Sequence, residues 1–430
     1  MGYNMWLKVE DSQTLKHDLR INSERLEIDF NELGEIGATK EGGISRLALS
    51  NEDLQARAWL ADRFEQAGLV VRDDDAGNLS GVLLSDTPDA KYFVIGAHLD
   101  SVPNGGRYDS SIGVLAALES IRSIREAGIK LPFHVEIIDF TDEEGCWQSL
   151  FGSRALTGTL TENYLYDRNF DYGPFRAALY RAGIRPADVY KAQRDPETLA
   201  GYLELHIEQG YRLHEAQIDI GVVESIVGRT TYDLRFYGEA THSGTTRASA
   251  RRDALHGASA FICQAHELVQ AEFPQGVFNC GNIQVFPGAF NLIPSEAQLT
   301  IECRHPNRDR LSEMESTLVR LSQEVAAQHR LTTNVRRVVH MPVAPMSDQI
   351  IQNIEKACQI INATNMRLVS LAGHDAQSMS SFTPSGMIFI PSVDGISHSP
   401  REFTRWAHVV SGTNVLMHTL IMMAEQYAND

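Results

Sequence analysis

The sequence predicts an α/β protein: a larger domain with a mainly parallel sheet flanked by helices, split by an inserted, smaller α+β domain. Three observations point there. The chain has 430 residues, more than one compact core usually takes. Strand-like and helix-like segments alternate through its first half, the pattern of a parallel sheet with helical crossovers. The texture changes near Gly221 and reverts after Met341. The expected boundaries are therefore 1–222, 223–340 and 341–430.

Taken in order, Leu54 to Ala67 is helix-patterned and Lys91-Tyr-Phe-Val-Ile-Gly96 is a short apolar strand. Apolar residues at 114, 117, 118, 121 and 124 form a helical stripe, because such spacing covers one helix face. Phe133 to Phe140 reads as the next strand. Tyr202 to Gln209 alternates strictly, with Leu203, Leu205 and Ile207 on one face and Glu204, His206 and Glu208 on the other, which fits either a half-buried strand with one polar face or a strand presenting His206 and Glu208 to a cleft. Beyond Gly221 come strand-like runs over Val222–Gly238, a long helix over Arg251–Ala271, two strands within Asn282–Arg304, a helix over Leu311–His329 and a strand over Thr332–His340. These form two βαβ-like halves of a domain of about 120 residues. A helix around Gln349–Thr364 and a strand at Gly386–Pro391 return to the first texture.

Composition narrows the function. There are 38 Lys+Arg against 56 Asp+Glu, a formal charge of −18, which argues against nucleic acid and anionic membranes because phosphates need a basic footprint. The five cysteines (Cys146, Cys263, Cys280, Cys303 and Cys358) are scattered and never paired as C-x-x-C, so neither a disulfide framework nor a thiolate zinc site is expected. Buried, reduced thiols are the expectation. The first residues hold no apolar core of signal-peptide length, and Trp6 stands where a myristoylation motif wants Ser or Thr. No apolar run approaches the roughly 18 residues of a membrane span. A soluble, cytoplasmic protein is expected.

The candidate chemistry lies at strand ends and loops. His98 and Asp100, two apart after an apolar strand, project the same way, and strand carboxyl ends carry the ligands in open α/β sheets. Asp109 precedes the Val114 helix, where it suits either an N-cap or a carboxylate shared by two cations. The adjacent Glu143 and Glu144 follow the 133–140 strand and point in different directions, so one can bind a metal while the other takes a proton from water. His398 lies in a loop after the Met387–Pro391 strand. His374 suits a core role as well as a ligand role. His242 sits among small residues in the inserted stretch, with Asn291 and Arg304 flanking later strands. Arg304 suits a surface ion pair or a guanidinium fork for a carboxylate. Three histidines and two or three carboxylates without a thiolate fit two divalent ions activating a water.

The ordered series GAHLDSVPNGG-YD, TDEEG, ELHIEQG, ATHSGTT-RRDAL, NLIP-CR, AGHDAQ and PS-DGISHSP resembles the dinuclear metal-dependent amidase/carbamoylase family. That family comprises N-carbamoyl-L-amino-acid hydrolases, allantoate amidohydrolases and yeast-type β-alanine synthases, related to aminoacylases and glutamate carboxypeptidases. The match runs from about Asp75 to about Asn414, and the HIEQG and GHDAQ elements point to the carbamoylase branch. The resemblance implies a catalytic larger domain and an inserted lid/dimerisation domain. It implies two divalent ions per subunit (Zn, Mn or Ni): His98, Asp109 and His206 around one, with Asp109 bridging to a second held by Glu144 and His398. Glu143 would be the general base, Asp100 would orient His98, and His242 would stabilise the oxyanion, often from the partner chain of a homodimer. Gln209, His242, Asn291, Arg304 and Gly373 would bind substrate, with Arg304 on its carboxylate.

Three departures stand out. Cys146-Trp147-Gln148 follows Glu144-Gly145 where Ser-Arg-Phe is usual, with a stretch to Gly152 about two residues short; Ser110 follows Asp109 where Gly is common; Arg247 replaces a usual Pro. None removes a ligand, and the first bears on substrate choice. The leading expectation is hydrolysis of the non-peptide C–N bond of an N-carbamoyl (ureido) amino acid to amino acid, CO₂ and ammonia, the substrate being small and anionic. An allantoate/ureidoglycolate-type amidohydrolase and an N-acyl-amino-acid amidase or dipeptidase are the enzymatic alternatives. A metal-free, non-catalytic relative would have lost a ligand or Glu143, and these six positions are intact.

Overall fold

The computed structural model describes residues 17–166 and 171–428; the segment read above for a targeting signal lies largely outside them. The chain divides into two compact units. One runs to Glu224 and resumes over Pro345–Ser370 and from His374; the other comprises Ser225–Ala344 with Leu371–Gly373.

The larger unit begins with helices α1 (Ser23–Leu33) and α2 (Asn51–Gln66), each opened by a side-chain cap, from Asn22 and Ser50. The strands that follow are β1 (Val70–Asp73), β2 (Leu79–Leu83), β3 (Tyr92–Ala97), β4 (His134–Asp139), β5 (Leu199–Ile207) and β6 (Ile220–Ile226). Helices α3 (Ser111–Glu126), α4 (Phe151–Leu156), α5 (Gly173–Arg181) and α6 (Arg212–Ala216) lie between them.

The smaller unit is an antiparallel sheet ordered β10-β7-β9-β8, built from β7 (Gly228–Tyr237), β8 (Val277–Phe286), β9 (Glu296–His305) and β10 (Thr332–Met341). With α7 (Ala254–Glu272) after β7 and α8 (Arg308–Gln328) after β9, the order is βαββαβ, the split-βαβ arrangement. Alternation along β9 buries Ala297, Leu299, Ile301 and Cys303 against Phe236, Phe261, Met314 and Leu318.

The larger unit then closes with β11 (Ala344–Pro345), α9 (Asp348–Ile361), β12 (Asn365–Ser370), α10 (Asp375–Met379), β13 (Ser385–Ile390) and the long α11 (Trp406–Tyr427). Its nine-stranded sheet is ordered β1-β2-β4-β3-β5-β13-β6-β11, with β12 on β6. The central strands β4, β3, β5 and β13 are parallel, so their carboxyl ends share one edge. The strand order turns back past β3, which is where open α/β sheets place ligands. Helix α3 is buried over nearly its whole length and crosses β5 so closely that a Cβ on Gly113 would lie 2.3 Å from the Leu205 carbonyl oxygen.

Two expectations need correction. β5 has no solvent face: Glu204 and His206 are as buried as Leu203 and Leu205, because β3 and β13 flank the strand and layers cover both its faces. Of the cysteines, Cys303 and Cys358 are buried, but Cys146 and Cys263 are exposed; all five are free thiols. Among the described residues no helix is long and apolar enough to cross a membrane.

Candidate metal centre

Four loops leaving adjacent parallel strands supply the site. His98 and Asp100 follow β3, Glu143 and Glu144 follow β4, His206 ends β5, and His398 follows β13. Asp109 arrives on the β3–α3 loop. It caps nothing: Ser110 holds the N-cap position at φ +49° without a side-chain capping bond, its Oγ instead accepting from His98 N–H at 2.9 Å. Two groups of ligand atoms result, His98/Asp109/His206 and Asp109/Glu144/His398, each within 4.8 Å. Asp109 belongs to both. Its Oδ1 lies 3.0 Å from His206 Nε2, and its Oδ2 lies 3.2 Å from His398 Nε2, which is 3.4 Å from Glu144 Oε2.

The tautomers suit cations. His206 Nδ1 lies 2.8 Å from the Ile207 carbonyl, and His98 Nδ1 lies 3.0 Å from the Asp100 carbonyl. A carbonyl only accepts, so each Nδ1 carries the proton and, in the neutral imidazole, each Nε2 presents a lone pair. Those lone pairs face carboxylate oxygens, His206 toward Asp109 and His98 toward Glu143 Oε2 at 3.3 Å. Asp109 Oδ1 is buried without a hydrogen-bond donor. Acceptors facing acceptors in a buried site call for positive charge between them, so these residues fit divalent ions.

Without an ion, protons meet part of this demand. Burial holds His98 neutral, its pKa lowered to about 3. Burial also depresses His206, yet the Asp109 carboxylate outweighs it and raises His206 to about 9. Asp109 itself is held well below the carboxylate range despite burial, by His206 and His398. Burial, then the neighbouring Asp375 and Glu144 charges, push Glu143 well up, and burial with Asp109 raises Glu144 to about 8.

Asp100 orients His98 mainly through its carbonyl. Its carboxylate, 3.6 Å from His98 Nδ1, accepts instead from the backbone N–H groups of Glu143 and Glu144 at 3.2 Å each, so it fixes the glutamate pair. Gln209 reaches the cluster directly, its Nε2 donating to Asp109 Oδ2 at 2.9 Å. Glu208 points elsewhere and accepts from Arg212 and Leu213 at the start of α6. His374 is buried edge-on to His206, ring centroids 4.4 Å apart, with Nε2 3.1 Å from Ser370 Oγ. It forms a third possible group with Glu204 and His206, but Glu204 Oε2 is already served by the Tyr202 hydroxyl and Ala376 N–H.

The altered stretch after Glu144 has a packing explanation. Asp142, at φ +56°, accepts from the Trp147 and Gln148 N–H groups, and Trp147 stacks on Phe175 at 5.6 Å while donating to the Ala48 carbonyl. In the smaller unit His242 pairs with Leu292 beside Asn291. Its Nδ1 accepts from Gly244 N–H at 3.0 Å, which leaves Nε2 as the donor. Arg304 donates to Glu302 at 2.7 Å and to the Leu371 carbonyl at 2.6 Å, next to Gly373. Sequence reasoning missed Glu402, Glu204 as a buried group, and Asp375; the last two lie inside the ELHIEQG and AGHDAQ motifs, but no role was assigned to them there.

The chain is similar to an N-carbamoyl-L-amino acid amidohydrolase of Geobacillus stearothermophilus, 34% identical over 94% of this chain and 99% of that one. It is 30% identical to an allantoate amidohydrolase of Bacillus subtilis over 91% of this chain and 95% of the other. A crystal structure of a hydantoinase/carbamoylase family amidase from Burkholderia multivorans superposes with a TM-score of 0.82 at 32% identity, covering 94% and 98% of the two chains. Residues 94–422 match the peptidase family M20/M25/M40, and the chain belongs to that family.

Proposed function

We propose that this protein is a dinuclear metal-dependent amidohydrolase that converts an N-carbamoyl (ureido) amino acid to the amino acid, CO₂ and ammonia. The observation that carries the reading is Asp109, whose two oxygens each face a separate ligand group beside the buried Glu143. His98, Asp109 and His206 would hold one ion, and Asp109, Glu144 and His398 the other. Two divalent cations supply Lewis acidity and make a water acidic near neutral pH.

The side chains do the rest. Glu143, its backbone held by Asp100, takes the proton of the attacking water and returns it to the departing nitrogen. Its buried, carboxylate-rich surroundings raise its proton affinity, as a base that must later act as an acid requires. His242 offers Nε2–H to the developing oxyanion, and Arg304, with Asn291 and Gly373, binds the substrate carboxylate. Water adds across the carbonyl, the C–N bonds break, and one amine, one ammonia and one CO₂ leave.

Replacing Glu143 by Gln is expected to leave metal content near wild type and reduce ammonia release by at least about 10²-fold; an active E143Q enzyme overturns the assignment. A screen of carbamoyl amino acids, allantoate, ureidoglycolate and ureidopropionate with Mn²⁺ decides the substrate. Allantoate is the second reading, on the strength of the Bacillus relative. Amino-acid release from acyl substrates without ammonia marks the amidase/dipeptidase alternative, and about zero metal equivalents marks a non-catalytic one. We also infer a cytoplasmic homodimer through 223–340. β8 is an open sheet edge with Ile283 and Phe286 exposed, and Phe290 is 99% exposed; sedimentation as a monomer overturns the dimer.

A further inference from the structure

The shared carboxylate sits on the loop that leads into the uncapped start of α3. Asp109 precedes Ser110 at φ +49°, and α3 starts without a side-chain cap. Glu402, 6% exposed, spans the gap. Its Oε1 accepts from the backbone N–H groups of Tyr108 at 2.9 Å and Asp109 at 3.0 Å. Its Oε2 lies 2.9 Å from Ser397 Oγ, which lies 3.1 Å from Asp109 Oδ2. Ser397 adjoins His398, so one carboxylate ties together the two loops that carry Asp109 and His398. Gly106 makes room: a Cβ there would fall 1.9 Å from the Glu402 carboxyl.

We propose that Glu402 is a positioning residue for the bridging carboxylate: it fixes the Asp109 backbone on one side and, through Ser397, Oδ2 on the other, and so sets the affinity of the site for divalent cations. This rests on the metal reading above. Removing the Glu402 side chain leaves the Tyr108 and Asp109 N–H groups without their acceptor and Ser397 with Asp109 Oδ2 alone, so the loop relaxes and both ligand groups loosen together. Gln in its place keeps a carbonyl for the two N–H groups and an amide that can donate to Ser397 Oγ.

The test is Co²⁺ binding to the full chain, followed by calorimetry and by the visible absorption of the bound ion. E402Q is expected to bind as the wild type does; E402A is expected to bind roughly 10- to 100-fold more weakly, with an altered cobalt spectrum. E402A with a lower melting temperature but wild-type affinity and spectrum overturns the proposal, since packing alone would then explain Glu402. Should E402A not fold, Ser397→Ala carries the test: weaker binding supports the proposal, and wild-type binding with an unchanged spectrum overturns it. A wild-type protein that binds no Co²⁺ overturns the metal reading itself, whereas two equivalents bound with equal affinity by wild type and E402A overturn only the role of Glu402.

Discussion

Asp109→Asn is the sharpest single perturbation of the centre. The substitution is isosteric, but it removes a charge that serves both ligand groups and turns one acceptor oxygen, now 3.0 or 3.2 Å from a histidine Nε2, into an NH₂ donor. A unit charge about 4 Å from another is worth about 4 kcal/mol at an effective dielectric of roughly 20, and twice that opposite a dication. Relief of the Asp109 desolvation cost returns part of this. Several kcal/mol remain, so affinity is expected to fall by at least about 10³-fold. Mn²⁺ titration of the stripped protein, with elemental analysis after dialysis, measures it. A second readout needs no metal: His206, held at about 9 by Asp109 against burial, is expected to titrate below its ordinary 6.5 in D109N, as followed by imidazole NMR. Two tightly bound equivalents in D109N, or an unmoved His206, would refute the reasoning.

Two further outcomes concern the scaffold. His418, buried in α11 with Nε2 3.0 Å from the Leu19 carbonyl, has its pKa lowered by burial to about 4. The unfolded chain takes up this proton through 6.5 and the native chain does not until about 4, so the stability is complete above 6.5 and lost as pH falls between these values. The loss is roughly 1–3 kcal/mol, read as the difference between wild-type and His418→Gln urea curves at pH 7.5 and 4.5; parallel curves contradict it. Gly113→Ala sets two effects against each other. Ala gains about 0.5–1 kcal/mol of helix propensity, but its Cβ would meet the Leu205 carbonyl at 2.3 Å and Ala97 Cβ at 3.0 Å, costing about 1–3 kcal/mol, so the melting temperature should drop; a rise contradicts the close packing of α3 on β5.

The residues gathered at the candidate centre were legible in the sequence because each histidine or glutamate lies at or just past the end of an apolar strand, and parallel strands deliver such residues to one edge. Asp109 was ambiguous there: a carboxylate before a helix reads as a cap, and only the backbone at Ser110 removes that option. Alternation in β5 suggested a wet face, since period-2 polarity cannot distinguish solvent from buried donors such as Tyr202 and Ala376 N–H. Spacing placed Asp100 beside His98 but could not tell which of its oxygens did the orienting. Glu402 was invisible because its backbone partners, Tyr108 and Asp109, lie 294 and 293 residues away.

The cations are called for by what the backbone leaves over, not by the chain's formal −18. Around the centre the fold buries Asp100, Asp109, Glu143, Glu144, Glu204, Asp375 and Glu402. Several are neutralised locally: Asp100 by two N–H groups, Glu204 by a hydroxyl and an N–H, and Glu402 by two N–H groups. Asp109, Glu143 and Glu144 receive no comparable set of backbone donors from the contacts around them, and Asp109 and Glu143 face the Nε2 atoms of His206 and His98, whose neutral tautomers offer only lone pairs. Protons can meet this demand, and the raised pKa values of His206, Glu144 and His398 describe how. Divalent ions meet it better, because one ion can satisfy a histidine and two carboxylate oxygens at once. A set of imidazole and carboxylate ligands without thiolate suits borderline and hard first-row ions. The sign of the site is thus set by which carboxylates the fold has already served, and surface acidity plays no part in it.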